Sequence, residues 1–184
     1  MPSSLQLVDR PRVLVVGGGY VGLYVALNLQ KKIASAGGIV TVVDPNPYMT
    51  YQPFLPEVAG GNIEARHAVV SLREHLRDSE VIQGSVTSID HADRKAVVQL
   101  PGDQGTVEVP YVDVVLGAGA ITRTFPIPGL AEAGIGNKTI EEAIALRNQV
   151  IERIEFASTA TDPAERRRAL TFVVVGGGFA GIET

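Results

Sequence analysis

Residues Val13–Gly22 read VLVVGGGYVG, and residues Phe172–Gly181 read FVVVGGGFAG. Each is an apolar run suited to a buried parallel strand, broken into G-x-G-x-x-G. In the first copy the spaced glycines are Gly17, Gly19 and Gly22, with Gly18, Tyr20 and Val21 between them. In the second they are Gly176, Gly178 and Gly181, with Phe179 and Ala180 before the last. The first glycine permits a tight turn from strand to helix. The second lets a pyrophosphate approach the backbone, and the third lets helix and strand pack closely. The helix N-terminus then offers free N–H groups and a partial positive charge to phosphate. One such phrase implies one dinucleotide; two imply two, with electrons passing between them.

The flanks support the first copy. A helix is predicted over Tyr20–Ala34, ended by Gly37 and Gly38, and Ile39–Val43 reads as the next strand. That strand closes on Asp44, 22 positions after Gly22, followed by Pro45. An acid at that offset is placed to hold the hydroxyls of an adenosine ribose. A lone glycine phrase would be weak evidence; strand, glycines, helix, strand and acid together are strong.

Further along, Pro45–Gly61 is rich in Pro, Gly and aromatics, and a helix is expected at about Ala65–Arg77 with Val69, Val70, Leu72 and Leu76 inward. Short β runs between about 81 and 110 read as an antiparallel meander, and Val112–Leu116 as another apolar strand running into Gly117-Ala118-Gly119. After a linker at Pro126–Gly129, the sequence TIEE at Thr139–Glu142 is a capping box that opens a helix to about Ala157. Ile140, Ala143, Ile144, Ile151 and Ile154 recur on its core face. Leu170–Val175 is the expected strand feeding the second fingerprint. The fold class is α/β.

The formal charge of −4 gives no electrostatic reason to expect nucleic acid, and Arg166–Arg168 reads as a solvated helix end or loop. No run reaches the length of a membrane span. The polar stretch Met1–Arg12 lacks the apolar core of a signal peptide, which makes the cytoplasm the expected location. The chain has no cysteine, so it carries no thiolate, disulfide or Cys-based metal site, and redox chemistry falls to a bound cofactor. His67, His75 and His91 have no second ligand at metal spacing and read as surface or structural residues.

The order of first fingerprint, Asp44, the Gln52–Gly60 loop QPFLPEVAG, meander, LGAG at Leu116–Gly119 and a second GGG-x-x-G-x-E resembles the two-dinucleotide-binding flavoprotein disulfide-reductase superfamily. Within it, the chain is most similar to type II NADH dehydrogenases, single-subunit NADH:quinone oxidoreductases. The resemblance implies a Rossmann-like FAD- and NAD(P)-binding fold, a parallel sheet with a β-meander and the start of a second Rossmann domain. It implies FAD on Gly17, Gly18, Gly19, Tyr20, Val21 and Gly22, with Asp44 and Pro45 at its ribose. Val86 would meet the adenine through its backbone, and Gly117, Ala118 and Gly119 would flank the flavin nucleotide. Here Gly and Ala replace the family's usual Ala and Thr, so a Thr hydroxyl contact is missing.

Gln52 and Pro53 belong to the loop the resemblance lays against the isoalloxazine. The second fingerprint, with Gly176, Gly178, Phe179, Ala180 and Gly181, would hold NADH, and Glu183 would be the acidic catalytic residue beside nicotinamide and flavin. Residues 1–126 are then expected to be the first part of an FAD domain, and 127–184 a linker, a helix and the start of an NAD(P)H domain. The chain is expected to be the front portion of a longer flavoprotein, and alone to bind FAD poorly and turn over negligibly. Quinone is the expected acceptor, with membrane contact through downstream regions, on the cytoplasmic face, and a homodimer as a further expectation. NADPH stays open as donor, since the deciding residue falls about twenty positions past Gly181. The alternatives are another NAD(P)H:acceptor flavoprotein of ferredoxin-reductase type and a nucleotide-binding module without turnover.

Overall fold

The protein is described by a computed structural model over residues 6–121 and 124–184. Met1–Leu5, the start of the polar N-terminal stretch, lie outside the described residues. The chain divides into two compact units, one of residues 1–49 and 70–120 and the other of residues 50–69 and 121–184.

In chain order the first unit contains β1 (Arg12–Val16), α1 (Tyr20–Ser35) and β2 (Ile39–Asp44). The strands β3 (Tyr48–Thr50) and β4 (Val69–Ser71) pair where the chain passes between units. Next come α2 (Leu55–Ala59) and α3 (Leu72–His75), the former in the second unit and the latter in the first. The first unit continues with β5 (Ser79–Gln83), β6 (Ser85–Asp90), β7 (Lys95–Gln99), β8 (Thr106–Pro110) and β9 (Asp113–Leu116). The second unit ends with α4 (Leu130–Ala133), α5 (Ile140–Thr159), α6 (Pro163–Ala169) and α7 (Phe179–Glu183).

The expected α/β class with a parallel sheet and a separate antiparallel meander is what forms. The parallel sheet has the order β5-β2-β1-β9, with Val13–Val16 in register with both Val40–Val43 and Asp113–Leu116. Its strands are nearly continuous Val, Leu and Ile because both faces are covered. On one face Val15, Val40, Val42 and Val81 pack with Leu23 and Ala26 of α1 and Leu72 of α3. On the other, Leu14, Val16, Val43 and Ile82 pack with Ala96, Val98 and Val109 of the meander. Each fully buried Val, Leu or Ile among them contributes about 1.5–3 kcal/mol, and each Ala methyl about 0.8 kcal/mol. The antiparallel order β6-β7-β8 begins at Ser85, whereas Val81–Gln83 belong to β5, parallel to β2.

A buried polar ladder crosses three strands toward the N-terminal ends of the sheet. Arg12, 3% exposed, donates from Nε to Thr41 Oγ1 at 2.7 Å and pairs through Nη2 with Glu80 Oε2 at 3.3 Å. Thr41 Oγ1 donates to the same Glu80 oxygen at 2.9 Å. The two ions are thus hydrogen-bonded as well as paired, which offsets their desolvation.

Three further sequence expectations are corrected. The single helix expected over Ala65–Arg77 is instead a 3-10 turn at Ala65–Ala68, then β4, then α3. The β-branched pair Val69-Val70 favours extended backbone, and Ser71 caps the following helix by accepting from Glu74 N–H at 3.4 Å. In α5 the capping box forms as expected, but Ile151 and Ile154 are about half exposed, with burial confined to Ile140, Ala143 and Ala157. Periodicity marks an apolar stripe without saying what covers it. Leu170–Val175 forms no ladder, because a strand exists only through a hydrogen-bonded neighbour and none pairs with it among the described residues.

Candidate dinucleotide-binding site

The strand order reverses between β1 and β9, so the crevice at their C-terminal ends is the topological switch point where open α/β sheets take ligands. Both strands end there in glycine-rich turns, Gly17-Gly18-Gly19 and Gly117-Ala118-Gly119. Gly17 has φ +96°, a conformation glycine adopts without strain, and its N–H donates to Val43 O at 2.8 Å. A Cβ at Gly17 would collide with the carbonyl of Gly117, and one at Gly22 with the carbonyl of Gly17. Gly19 differs: a Cβ there would meet nothing within 4 Å. Two glycines are therefore required by packing, and the third keeps open the space in front of the α1 N-terminus. That cradle fits a pyrophosphate.

Asp44 at the end of β2 is turned toward this loop. Its Oδ2 accepts from Gly18 N–H at 2.6 Å and its Oδ1 from Asn46 N–H at 2.7 Å. Gly84 N–H donates to the Asp44 carbonyl at 2.9 Å, which brings the β5–β6 turn and half-buried Val86 to the same edge. Pro45 is fixed there by Gln83 Nε2, which donates to its carbonyl at 3.1 Å. Tyr20 and Val21 open α1, and Val21 Cβ lies 3.5 Å from where a Cβ of Gly117 would stand. The first unit thus gathers Gly17–Gly22, Asp44, Pro45, Val86 and Gly117–Gly119 around one strand edge.

The remaining expected residues belong to the second unit. Gln52 and Pro53 form an exposed 3-10 turn, in which Tyr51 and Phe54 meet edge to face at 4.8 Å. Gln52 Nε2 reaches Lys138 O at 3.5 Å. The second fingerprint repeats the local form of the first without a sheet. Gly176 has φ +121°, and a Cβ at Gly181 would stand 2.5 Å from Gly176 O and 3.3 Å from Val174 Cγ1. Gly22 has the same neighbours at the same offsets, Gly17 O and Val15 Cγ1. Gly178 again faces open space, and Ile182 N–H donates to its carbonyl at 3.1 Å, as Leu23 N–H does to Gly19 at 2.9 Å. Phe179 and Ala180 open α7, where Glu183 is exposed.

Residues 11–184 match the family described as pyridine nucleotide-disulphide oxidoreductase. The chain belongs to this family. Among curated relatives, type II NADH:quinone oxidoreductase Ndh of Mycobacterium tuberculosis is 34% identical over 177 residues, covering 95% of this chain and 37% of that protein. The mitochondrial external alternative NADH-ubiquinone oxidoreductase of Yarrowia lipolytica is 32% identical over 184 residues, 95% of this chain and 31% of its own length. The solved structure of NDH2 from Plasmodium falciparum in complex with RYL-552 superimposes with a TM-score of 0.86 at 25% identity, over 95% of this chain and 36% of that one. The chain therefore spans about a third of the length of the curated relatives it matches. This member of the pyridine nucleotide-disulphide oxidoreductases has no cysteine, so the thiol chemistry in the family's name is not carried by these residues.

The sequence did not reveal what supports the loop. Leu72 stands against Gly18, and Gly84 N–H reaches Asp44, across separations that no local pattern encodes. Among the described residues no helix is long and apolar enough to cross a membrane.

Proposed function

We propose that the protein bearing this chain is an FAD-dependent NADH:quinone oxidoreductase of type II. The observation that carries the reading is the pair of glycine turns of matching local form, the first of them opposed by the Asp44 carboxylate. The similarity to quinone-reducing relatives supports the choice of acceptor. When bound, FAD would supply the two-electron chemistry that links a reduced nicotinamide to a quinone.

The chain's own residues bind and orient. Gly17–Gly22 and the start of α1 present backbone N–H groups to the FAD pyrophosphate, and Tyr20 and Val21 set the first helical turn. Asp44 would accept from the adenosine ribose hydroxyls beside Pro45, Val86 would lie toward the adenine, and Gly117-Ala118-Gly119 would let the nucleotide approach β9. Gln52 and Pro53 contribute to the flavin side. Gly176, Gly178, Phe179, Ala180 and Gly181 would hold NADH, with Glu183 as the catalytic carboxylate beside it. Residues 1–126 supply the FAD domain's first part and 127–184 the linker, a helix and the entry to the NAD(P)H domain. A lipid-soluble quinone requires work at a membrane surface, so a peripheral membrane position belongs to this reading; the cytoplasmic face and a homodimer rest on the family resemblance alone.

The test is anaerobic absorbance spectroscopy of the purified protein. NADH is expected to bleach the flavin band and a soluble quinone to restore it; NADPH run in parallel reads the donor preference. Restoration by ferredoxin but not quinone overturns the acceptor, and a bound flavin that neither donor bleaches overturns the enzyme.

A further inference from the structure

The Leu72 side chain is wholly apolar, yet it lies where the glycine turn and the acid meet. The side chain is wholly buried on α3. A Cβ at Gly18 would stand 2.5 Å and 3.3 Å from its two terminal methyls, and 3.2 Å from Asp44 Cβ. Gly18 is not one of the three spaced glycines, and the phosphate reading does not require it. What fills the space a side chain there would take is Leu72, together with Asp44 Cβ.

We infer that Leu72 is a positioning residue for dinucleotide binding, the floor on which the Gly18 backbone is set and, through the Gly18 N–H, the Asp44 carboxylate is oriented. The inference rests on the reading of the first fingerprint as a dinucleotide site. An ionised carboxylate has about four lone-pair positions. Two of those on Asp44 are taken by the N–H groups of Gly18 and Asn46, one on each oxygen. One acceptor position per oxygen is left, which matches the two vicinal hydroxyls of a ribose. The short bond from Gly18, 2.6 Å to an ionised acceptor, holds the carboxylate in that orientation.

The Leu72 side chain bears on the donor end of this bond, and its backbone ties down the chain that follows the acceptor. Its methyls bear on the Gly18 backbone, and its own N–H donates to Pro47 O at 3.0 Å, three residues beyond the acid. Ser71 holds α3 in place from its N-cap. Binding groups must be held to within about 0.5 Å to act together, so a missing floor weakens binding without removing a ligand-contacting atom.

The experiment measures FAD affinity, by quenching of flavin fluorescence, alongside the thermal midpoint, in the full protein. Leu72→Ala is expected to raise the FAD Kd about ten- to a hundredfold, the range seen when outer-shell partners of metal ligands are lost. Leu72→Met, which keeps the bulk, should return affinity to within threefold or so of the wild type. Leu76→Ala is the control: Leu76 belongs to the same cluster and is 2% exposed. It should lower the midpoint comparably and leave Kd within about twofold.

A second pair reads the contact even where Leu72→Ala does not fold. Gly18→Ala should lose FAD, and adding Leu72→Val, which withdraws the nearest methyl, should recover at least tenfold of it. Equal Kd changes for Leu72→Ala and Leu76→Ala, or no recovery in the double variant, overturn the inference. Wild-type protein that binds no FAD overturns the dinucleotide reading itself.

Discussion

Replacing Gly19 with valine separates ligand space from packing. Gly19 is the N-cap of α1 with φ −72° and ψ −158°, extended backbone that valine adopts freely. Nothing stands within 4 Å of its Cβ position, and its carbonyl goes on accepting from Leu23 N–H at 2.9 Å. Valine is a poorer N-cap than glycine by up to about 1 kcal/mol. The stiffer unfolded chain returns about 0.4–1 kcal/mol of that. The net change in stability is therefore under about 1 kcal/mol, or about 4 °C in Tm at this size. Binding is affected far more. A side chain in the open space displaces the pyrophosphate from at least two backbone donors, and hydrogen bonds to charged groups contribute about 1.5–3 kcal/mol each. The FAD Kd is expected to rise about 10²- to 10⁴-fold. Flavin titration and differential scanning calorimetry on the same preparation read both numbers. Retained affinity shows that no phosphate lies in front of Gly19; a Tm falling by 10 °C or so shows that the space is packed.

The other glycine of the turn behaves in the opposite way. Gly22→Ala drives a Cβ into the carbonyl of Gly17, pushing α1 off β1, and should cost about 3 kcal/mol in urea unfolding before any ligand is added. An unchanged midpoint would contradict the close approach. Asp44→Asn keeps the size of the side chain but loses its charge and sets an amide NH2 against the N–H of Gly18 or Asn46; FAD titration should show a complex at least about tenfold weaker, and Tm should fall by about 2–4 °C for each kcal/mol lost. Arg12→Met leaves the part-buried Glu80 without its cation and should cost about 1–3 kcal/mol by chemical denaturation, while flavin affinity holds. Thr139→Ala removes the cap on Glu142 N–H, with an expected loss of about 1 kcal/mol by the same measurement.

The sequence was most legible where chemistry and local geometry coincide. The element β1–α1–β2 with Asp44 could be read to within a residue or two at each end. Its glycines, its helix period and its strand runs all specify the same turn, and the acid lies at a fixed offset. The capping box at Thr139 was legible for the same reason: its two hydrogen bonds are made within four residues. Features decided by partners elsewhere in the chain were not legible. Val69-Val70 fits a helical stripe as well as a strand, and only pairing with β3 selects the latter. The apolar run Leu170–Val175 has strand composition, but composition supplies no neighbour. Ile151 and Ile154 carry the period of a buried face and lie exposed. The supports of the site were least legible, because Leu72 under Gly18 and Glu80 against Arg12 meet across more than fifty residues.

Of all these measurements, anaerobic titration of the protein with NADH bears on the proposed chemistry with the fewest intervening steps. The flavin absorbance should bleach on one equivalent of NADH and return fully when a soluble quinone is added. A flavin that remains oxidised in excess NADH and NADPH, or a protein that holds no flavin when saturated with FAD, would contradict it.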